Sequence, residues 1–405
     1  MEKQESTIAT ASLKPGHADR IIAGHPWIFE KSIQRLSKEP EDGDVVQVKD
    51  SRKRFVGIGF YNSRSRVRIR LASSERENID QAWFESRIRA AFAYRQKHLP
   101  QLSCFRVVNA EGDFLGGLII DKFEEVLAVQ ISSLAFDQRR DEILRALAAV
   151  FPECRIVENF DAGFRKFEGL PEAKTTEGAA DDPREVQADI NGLRFQLNFQ
   201  SGHKTGAYLD QQFNYRSVGD IVGRMDTPRV LDCFSYEGGF ALHAAQRGAA
   251  EVTGLEQNED AVARAGANAK ANGLAEVCRF EAVNVFDWFK EATKKNAATK
   301  HFDAIILDPP SFTRSRANLA NAARGYKEIH LRALRLLKRG GILTTFSCSH
   351  HVHREFFLDV IREAAFDARR QLRIVETHEQ APDHPILPFV PETEYLKGFS
   401  FEIVN

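Results

Sequence analysis

The chain has 405 residues, 43% hydrophobic and 28% charged, with a formal net charge of -1, which is long enough for two or three globular domains. No uninterrupted apolar run nears the length of a membrane span, and Met1–Thr10 is too polar for a signal peptide. The five scattered cysteines, Cys104, Cys154, Cys233, Cys278 and Cys348, contain no CxxC pair, which argues against a disulfide framework or a zinc site and for a reducing, cytoplasmic setting.

Residues 9–74 read as a small β-rich domain. Val45–Val48 follows the turn signal Glu41-Asp42-Gly43-Asp44, and Phe55–Tyr61 and Val67–Leu71 are two further strands. The near-neutral total hides a local basic field: Lys49, Arg52, Lys53, Arg54, Arg64, Arg66, Arg68 and Arg70 stand against the single acid Asp50. Arginines at 64, 66, 68 and 70 alternate with aliphatics at 67, 69 and 71, so a period of two puts them on one face. That face is either a solvated edge or a track for phosphates.

Residues 78–184 read as an α+β middle domain. Gln81–Leu99 has helical periodicity, Leu118–Asp121 and Val126–Ile131 follow Val107-Val108 as an antiparallel meander, Phe136–Val150 is an amphipathic helix and Ile156–Glu158 a strand. Pro171–Pro183 is the expected exposed loop. Residues 185–405 alternate strand and helix regularly: strands at Arg229–Asp232, Val252–Glu256, Phe302–Asp308 and Gly341–Ser347, helices at Phe240–Arg247, Asp260–Asn272 and Tyr326–Leu337. The alternation signals a doubly wound parallel sheet, with ligands at the carboxyl ends of its strands.

Chemistry collects at those ends. Asp232-Cys233-Phe234-Ser235-Tyr236-Glu237-Gly238-Gly239 is a glycine turn entering a helix, but not GxGxxG. Glu256, with Gln257 beside it, stands where a carboxylate accepts the ribose hydroxyls of an adenosine ligand, a feature shared by NAD and S-adenosylmethionine (SAM) enzymes. Asp308-Pro309-Pro310-Ser311-Phe312 is more specific. Two prolines fix φ and remove donors, giving a stiff loop in which an acid, Pro310 and Phe312 hold a nucleobase beside a methyl donor. Cys348 ends the next strand, expected to neighbour the one ending at Asp308. Carbon 5 of cytosine is not nucleophilic until a thiolate adds at carbon 6, so a thiol here points to carbon methylation, with Asp308 on ring nitrogen N3. For the cluster His350, His351 and His353, a histidine that supports the thiolate or contacts RNA phosphate fits better than a metal site. Ser201–Gln212 mixes Gly, Lys, Thr and Tyr but lacks the GxxxxGK[ST] spacing, so composition leaves it open.

With these residues the chain resembles the bacterial class I SAM-dependent 23S rRNA cytosine-5 methyltransferases with an N-terminal PUA domain. The likeness includes Lys14-Pro15-Gly16-His17, Gly24-His25-Pro26-Trp27, Glu111-Gly112-Asp113, Gly202–Gly206 with Tyr208–Gln211, Phe234–Phe240, Asp308–Phe312 and Ser347-Cys348-Ser349. It implies an α/β protein: a β-barrel PUA domain over 9–74 that binds RNA through Lys14, Arg64, Arg66 and Arg68, the α+β insert, and a Rossmann-like SAM methyltransferase domain. It further implies Cys348 as nucleophile with Asp308, and a SAM pocket of Tyr208, Asp210, Gln211, Asp232, Phe234, Ser235, Tyr236, Gly238, Glu256, Gln257, Asn284 and Asp308. The partner would be 23S rRNA, with no metal and no membrane; oligomeric state stays open, a homodimer included. Four positions depart from the pattern: Ser311 and Phe312 stand where related enzymes have a cysteine that aids product release, Glu237 replaces a small polar residue, and Asn284 replaces an acid that accepts the adenine amino group. Two competing readings are methylation of an exocyclic base amine, which needs no thiol, and a non-catalytic RNA-binding assembly factor.

Overall fold

A computed structural model describes residues 8–159, 162–170, 185–199, 206–295, 302–313 and 315–405. The expected loop Pro171–Pro183 and the Ser201–Thr205 part of the Gly/Lys/Thr segment, with Lys204, lie outside the described residues. The chain divides into two compact units, one of Met1–Val186, Leu197–Leu209 and Pro382–Thr393, the other of Gln187–Gln196, Asp210–Ala381 and Glu394–Asn405.

The first unit opens with a six-stranded sheet from Thr10–Leu13, Trp27–Phe29, Ile33–Leu36, Val45–Lys49, Phe55–Tyr61 and Val67–Ser73. All its pairings are antiparallel except that of Thr10–Leu13 with Val45–Lys49. The alternation expected of Val67–Leu71 is present, with Val67 and Ile69 buried. The arginines opposite them are not a bare stripe. Acids distant in sequence reach them: Glu30 lies 3.0 Å from Arg68, Glu111 3.1 Å and Glu168 2.7 Å from Arg70, and Asp42 3.7 Å from Arg64. Sequence reading counted only local acids, so it overstated the free charge; Arg66, and Lys14 on the first strand's exit, are exposed.

The same unit holds a four-stranded sheet in the order Arg155–Glu158, Val126–Ile131, Leu118–Phe123, Cys104–Asn109. The last three form the expected meander, and Arg155–Glu158 joins in parallel. Helix Gln81–His98 starts where Asp80 accepts the Trp83 N–H at 3.0 Å, a side-chain N-cap. The helix expected over 136–150 is two, Leu134–Gln138 and Arg140–Val150. Arg139 between them leaves helical geometry at φ -105°, ψ 19°, and its guanidinium donates to the carbonyls of Ala135 and Gly43.

The second unit is built on a seven-stranded sheet: β1 (Arg229–Cys233), β2 (Glu251–Glu256), β3 (Cys278–Ala282), β4 (Phe302–Leu307), β5 (Leu337–Ser347), β6 (Leu372–Glu379) and β7 (Lys397–Ile403). Their order is β3-β2-β1-β4-β5-β7-β6. β1 to β5 run parallel, while β7 is antiparallel to both β5 and β6. The apolar runs Val230-Leu231 and Ala304–Leu307 are buried, as central strands covered by helices on both faces must be. Those helices are α1 (Gln212–Val222), α2 (Gly239–Gln246), α3 (Glu259–Ala271), α4 (Val285–Lys295), α5 (Leu319–Leu336) and α6 (Arg354–Ala368). α5 begins seven residues before the expected Tyr326 start. Its Gly325 obscured the pattern, and it sits there because the Phe312 ring lies against it: an added Cβ would be 3.2 Å from that ring. Chain order reverses between β1 and β4, which opens the ligand crevice at the carboxyl end of the sheet.

Candidate active site

The turn after β1 is tightly specified. The N–H groups of Phe234 and Ser235 both donate to the Leu255 carbonyl, at 2.8 and 3.0 Å, folding the turn over the end of β2. Phe234, Tyr236 and Gly238 all have left-handed backbones, with φ of 66°, 46° and 90°, which only the glycine adopts without cost. Glu256 at the end of β2 accepts three backbone N–H bonds: Tyr236 at 3.1 Å on Oε2, Gln257 at 2.7 Å and Asn258 at 2.9 Å on Oε1. Those contacts fix the carboxylate and leave one acceptor site on Oε2 for a ligand. Gln257 and Asn284 meet through their amides at 3.2 Å. Asn284 Oδ1 also accepts the Phe286 N–H at 3.0 Å, so this residue caps the start of α4 besides standing at the crevice.

Asp232 is fully buried. Its Oδ2 accepts the Ala241 N–H at 3.0 Å, while Oδ1 has no partner among the described residues, and neither does the buried Oγ of Ser235. Burial pushes the Asp232 pKa well up, and the nearby Asp308 and Glu256 add to this. Buried polar atoms left unpaired are costly and mark a place where a ligand is expected. Glu237 points away into the fold: its carboxylate lies 2.6 Å from Arg264 Nε, and its carbonyl accepts from Asn268 at 3.2 Å. The departure at Glu237 is therefore a buried ion pair with α3, and sequence reading missed Arg264 because the two residues are 27 positions apart.

Asp308 follows β4, beside the β1 end, and its N–H donates to the Cys233 carbonyl at 3.3 Å. Its Oδ2 accepts from Gln211 Nε2 at 3.0 Å, and Gln211 Oε1 accepts from Asn214 at 2.6 Å. Asp210 accepts the Tyr395 hydroxyl at 2.7 Å. Pro310 is exposed. Phe312 is half-buried, its ring centroid 5.9 Å from that of Phe286 and 4.6 Å from that of Tyr326, so one side of it is committed to packing.

β5 pairs with β4 as expected, which brings Cys348 to this loop. The thiol is half-buried, and Sγ donates toward the Pro309 carbonyl at 4.0 Å. Around it, Tyr326 bonds to the hydroxyls of Ser347 (2.9 Å) and Ser349 (3.3 Å), and Ser349 bonds to Ser311 (2.9 Å). Burial pushes the Tyr326 hydroxyl up to about 12, so it stays protonated. No local pattern marks Lys397, which stands opposite Ser347 in the β5–β7 register. It is buried and donates to the carbonyls of Ser349 at 2.8 Å and Val352 at 2.7 Å. The other cysteines are packing residues: Cys104, Cys233 and Cys278 are buried, and burial raises the thiol pKa of each. Cys154, half-buried, is also raised by burial.

The remaining sequence-predicted residues lie in the first unit: Lys14, Arg64, Arg66 and Arg68 on or next to its six-stranded sheet, and Tyr208, half-buried, at its end. Among the described residues no three His, Cys, Asp or Glu side chains gather as a metal cluster, and no helix is long and apolar enough to cross a membrane.

Comparison with known proteins agrees with this arrangement. A family described as a PUA-like domain matches residues 12–74, and one described as S-adenosylmethionine-dependent methyltransferase matches 171–399. Ribosomal RNA large subunit methyltransferase I of Tolumonas auensis is 38% identical over 394 residues, covering 96% of this chain and 98% of the relative. The protein of the same name from Aeromonas salmonicida is 37% identical over 390 residues, with 95% and 97% covered. The crystal structure of SMU.776 complexed with SAH superposes with a TM-score of 0.82 at 21% identity, covering 97% of this chain and 99% of the other. That likeness supports the fold: an α/β chain with a class I methyltransferase sheet. The residues present fit SAM as cofactor. The strained turn Phe234–Gly238, Asp232 Oδ1 and Ser235 Oγ, both unpaired among the described residues, and Glu256 converge at the carboxyl ends of β1 and β2.

Proposed function

This chain belongs to the SAM-dependent methyltransferases of the ribosomal RNA large subunit methyltransferase I family, and we propose that it methylates carbon 5 of a cytosine in 23S rRNA, in the cytoplasm, through a covalent Cys348 adduct. One observation carries the reading: the half-buried thiol stands 4.0 Å from the carbonyl of Pro309, next to Asp308. A methyltransferase acting on a base nitrogen has no use for a thiol in that position.

The chain's own groups divide the work. Asp232, Phe234, Ser235, Tyr236, Gly238, Glu256, Gln257 and Asn284 hold SAM, with Asp210, Gln211 and Tyr208 flanking it. When bound, SAM supplies an electrophilic methyl group. The target cytosine, unpaired or flipped from its stack, enters against Pro310 and the free side of Phe312. The Cys348 thiolate forms a bond to carbon 6, and the electrons of the carbon 5–carbon 6 double bond become available at carbon 5. Asp308, oriented by Gln211 at Oδ2, donates a carboxyl proton from its other oxygen to ring nitrogen N3, where negative charge develops. After methylation the carbon 5 proton passes to water, the electrons of that carbon–hydrogen bond re-form the carbon 5–carbon 6 double bond, and the sulfur–carbon 6 bond breaks to return the thiolate. Ser311 and Phe312 offer no second thiol for this release. Arg66 and Lys14, exposed on the first unit, contact phosphates, while Arg64 and Arg68 shape the surface beside them.

The variant Cys348→Ala tests the chemistry on intact rRNA with labelled SAM. Loss of 5-methylcytosine with SAM binding retained is expected. Full methyl transfer yielding another modified base would overturn the reading in favour of exocyclic amine methylation. RNA binding without any methyl transfer by the wild-type protein would favour the assembly-factor reading.

A further inference from the structure

Lys397 is an unusual residue to bury. It is 4% exposed, and among the described residues it has no carboxylate within ion-pair distance. An unpaired ammonium in the interior is costly in the absence of a compensating negative group. Its two hydrogen-bond acceptors are both on the segment that carries Cys348: the carbonyls of Ser349, the next residue, and of Val352. The β5–β7 register, Ser347 opposite Lys397, fixes the stem so that the cation lies under that segment. The third N–H of the ammonium is not engaged by any described residue.

The charges that act on Lys397 are Cys348 and Glu394, which favour its protonated form, and Arg354, which opposes it. Burial is the largest influence and draws its pKa down to about 8, so the ammonium persists at neutral pH. Asp308 and Cys348 are the charges felt by the neighbouring Tyr326, whose hydroxyl is bonded to Ser347 and Ser349. Among the described residues around the thiol, Lys397 is thus a buried cation with no anion in direct contact.

Resting on the cysteine-adduct reading above, we propose that Lys397 is the positioning residue that holds the Cys348 segment through two carbonyls and stabilises the Cys348 thiolate before it adds to the base. The thiol loses its proton to solvent and Lys397 keeps its three, so the pair becomes an ammonium–thiolate contact with no other reactant. A nearby lysine ammonium is a recognised way to lower a thiol's pKa.

The test is the pH profile of Cys348 alkylation by iodoacetamide in the full-length protein without RNA, read on the Cys348 peptide by mass spectrometry. Lys397→Gln keeps N–H donors for the carbonyls and removes the charge; Lys397→Arg keeps the charge. In Lys397→Gln the midpoint is expected to rise by about one pH unit or more, which slows alkylation about tenfold at pH 7; Lys397→Arg restores most of the rate, and Cys154 alkylation is the same in all three. A Lys397→Gln protein that binds SAM like the wild type, with a Cys348 profile superimposable on it, overturns the proposal. Should Lys397→Gln not fold, a wild-type midpoint at or above about 8.5, the value of an unperturbed thiol, overturns it without any variant. Failure here leaves the adduct chemistry standing, since that reading is judged separately, by the product that Cys348→Ala makes and by methyl transfer in the wild-type protein.

Discussion

Replacing Arg264 by Met removes the partner of a carboxylate that the fold has already buried. The Glu237 side chain is 5% exposed and that of Arg264 16%, with Nε and Oε1 2.6 Å apart. At an effective dielectric of about 20, unit charges at that separation attract by about 6 kcal/mol before desolvation is subtracted. Removing one member of a buried pair usually costs about 3–5 kcal/mol, and the partial exposure of Arg264 sets the expectation near the lower end, about 3 kcal/mol. The loss should depend on pH. Burial already raises the Glu237 pKa above its ordinary 4.5 with Arg264 in place, and without Arg264 it rises further. The folded state then keeps a proton that the unfolded chain has released, so stability falls as pH climbs above 4.5. Urea unfolding of R264M at pH 5 and pH 8, followed by peptide-resolved hydrogen exchange over α2, α3 and β2, should show the larger deficit at pH 8. SAM affinity by calorimetry should fall with it, because Glu237 lies within the strained cofactor turn. The double variant E237Q/R264M should recover most of the stability, since no buried charge is left unpaired. R264M within about 0.5 kcal/mol of wild type at pH 8, or a double variant no better than the single, would refute the reasoning.

Three other outcomes are expected. His243 and His330 are buried and held neutral, burial drawing both down to about 4; between 6.5 and 4 the unfolded chain takes up protons that the folded rings refuse, so stability should fall as pH drops, by up to about 3 kcal/mol per ring. His330→Gln should make that fall shallower in urea midpoints measured from pH 7 to 4.5, and an unchanged slope would sink the assignment. Arg66→Ala should lower the salt dependence of rRNA binding by about one unit of log–log slope, whereas Arg68→Ala, its side chain 14% exposed and paired with Glu30, should change it less; equal effects in filter-binding titrations would count against phosphate contact by Arg66. Gly254→Ala places a Cβ 2.4 Å from the Phe280 ring and 3.0 Å from Ser235 Oγ, so it should displace the cofactor turn and weaken SAM binding in calorimetry, with wild-type affinity the contrary result.

Local pattern along the chain was enough for the order of elements, the doubly wound class of the second unit and the residues proposed to carry its chemistry. Strand–helix alternation is a local property, and Asp308-Pro309-Pro310 and Cys348 are informative because each ends a strand whose neighbour the alternation predicts. Cys348 could therefore be singled out from the other four cysteines by its place at a strand end alone, and Cys348→Ala is the test of that choice. Tertiary structure alone decided which charges are free and which are spent. Arg68 and Arg70 looked unpaired until Glu30, Glu111 and Glu168 reached them from elsewhere in the chain, and Glu237 looked like an anomaly until Arg264 appeared beside it. Lys397 was invisible for the same reason: it lies 49 residues from Cys348, and only the antiparallel return of β7 against β5 puts its ammonium under the thiol's segment. Periodicity is encoded between neighbours in sequence, but electrostatic pairing acts between neighbours in space, and those are set by strand register.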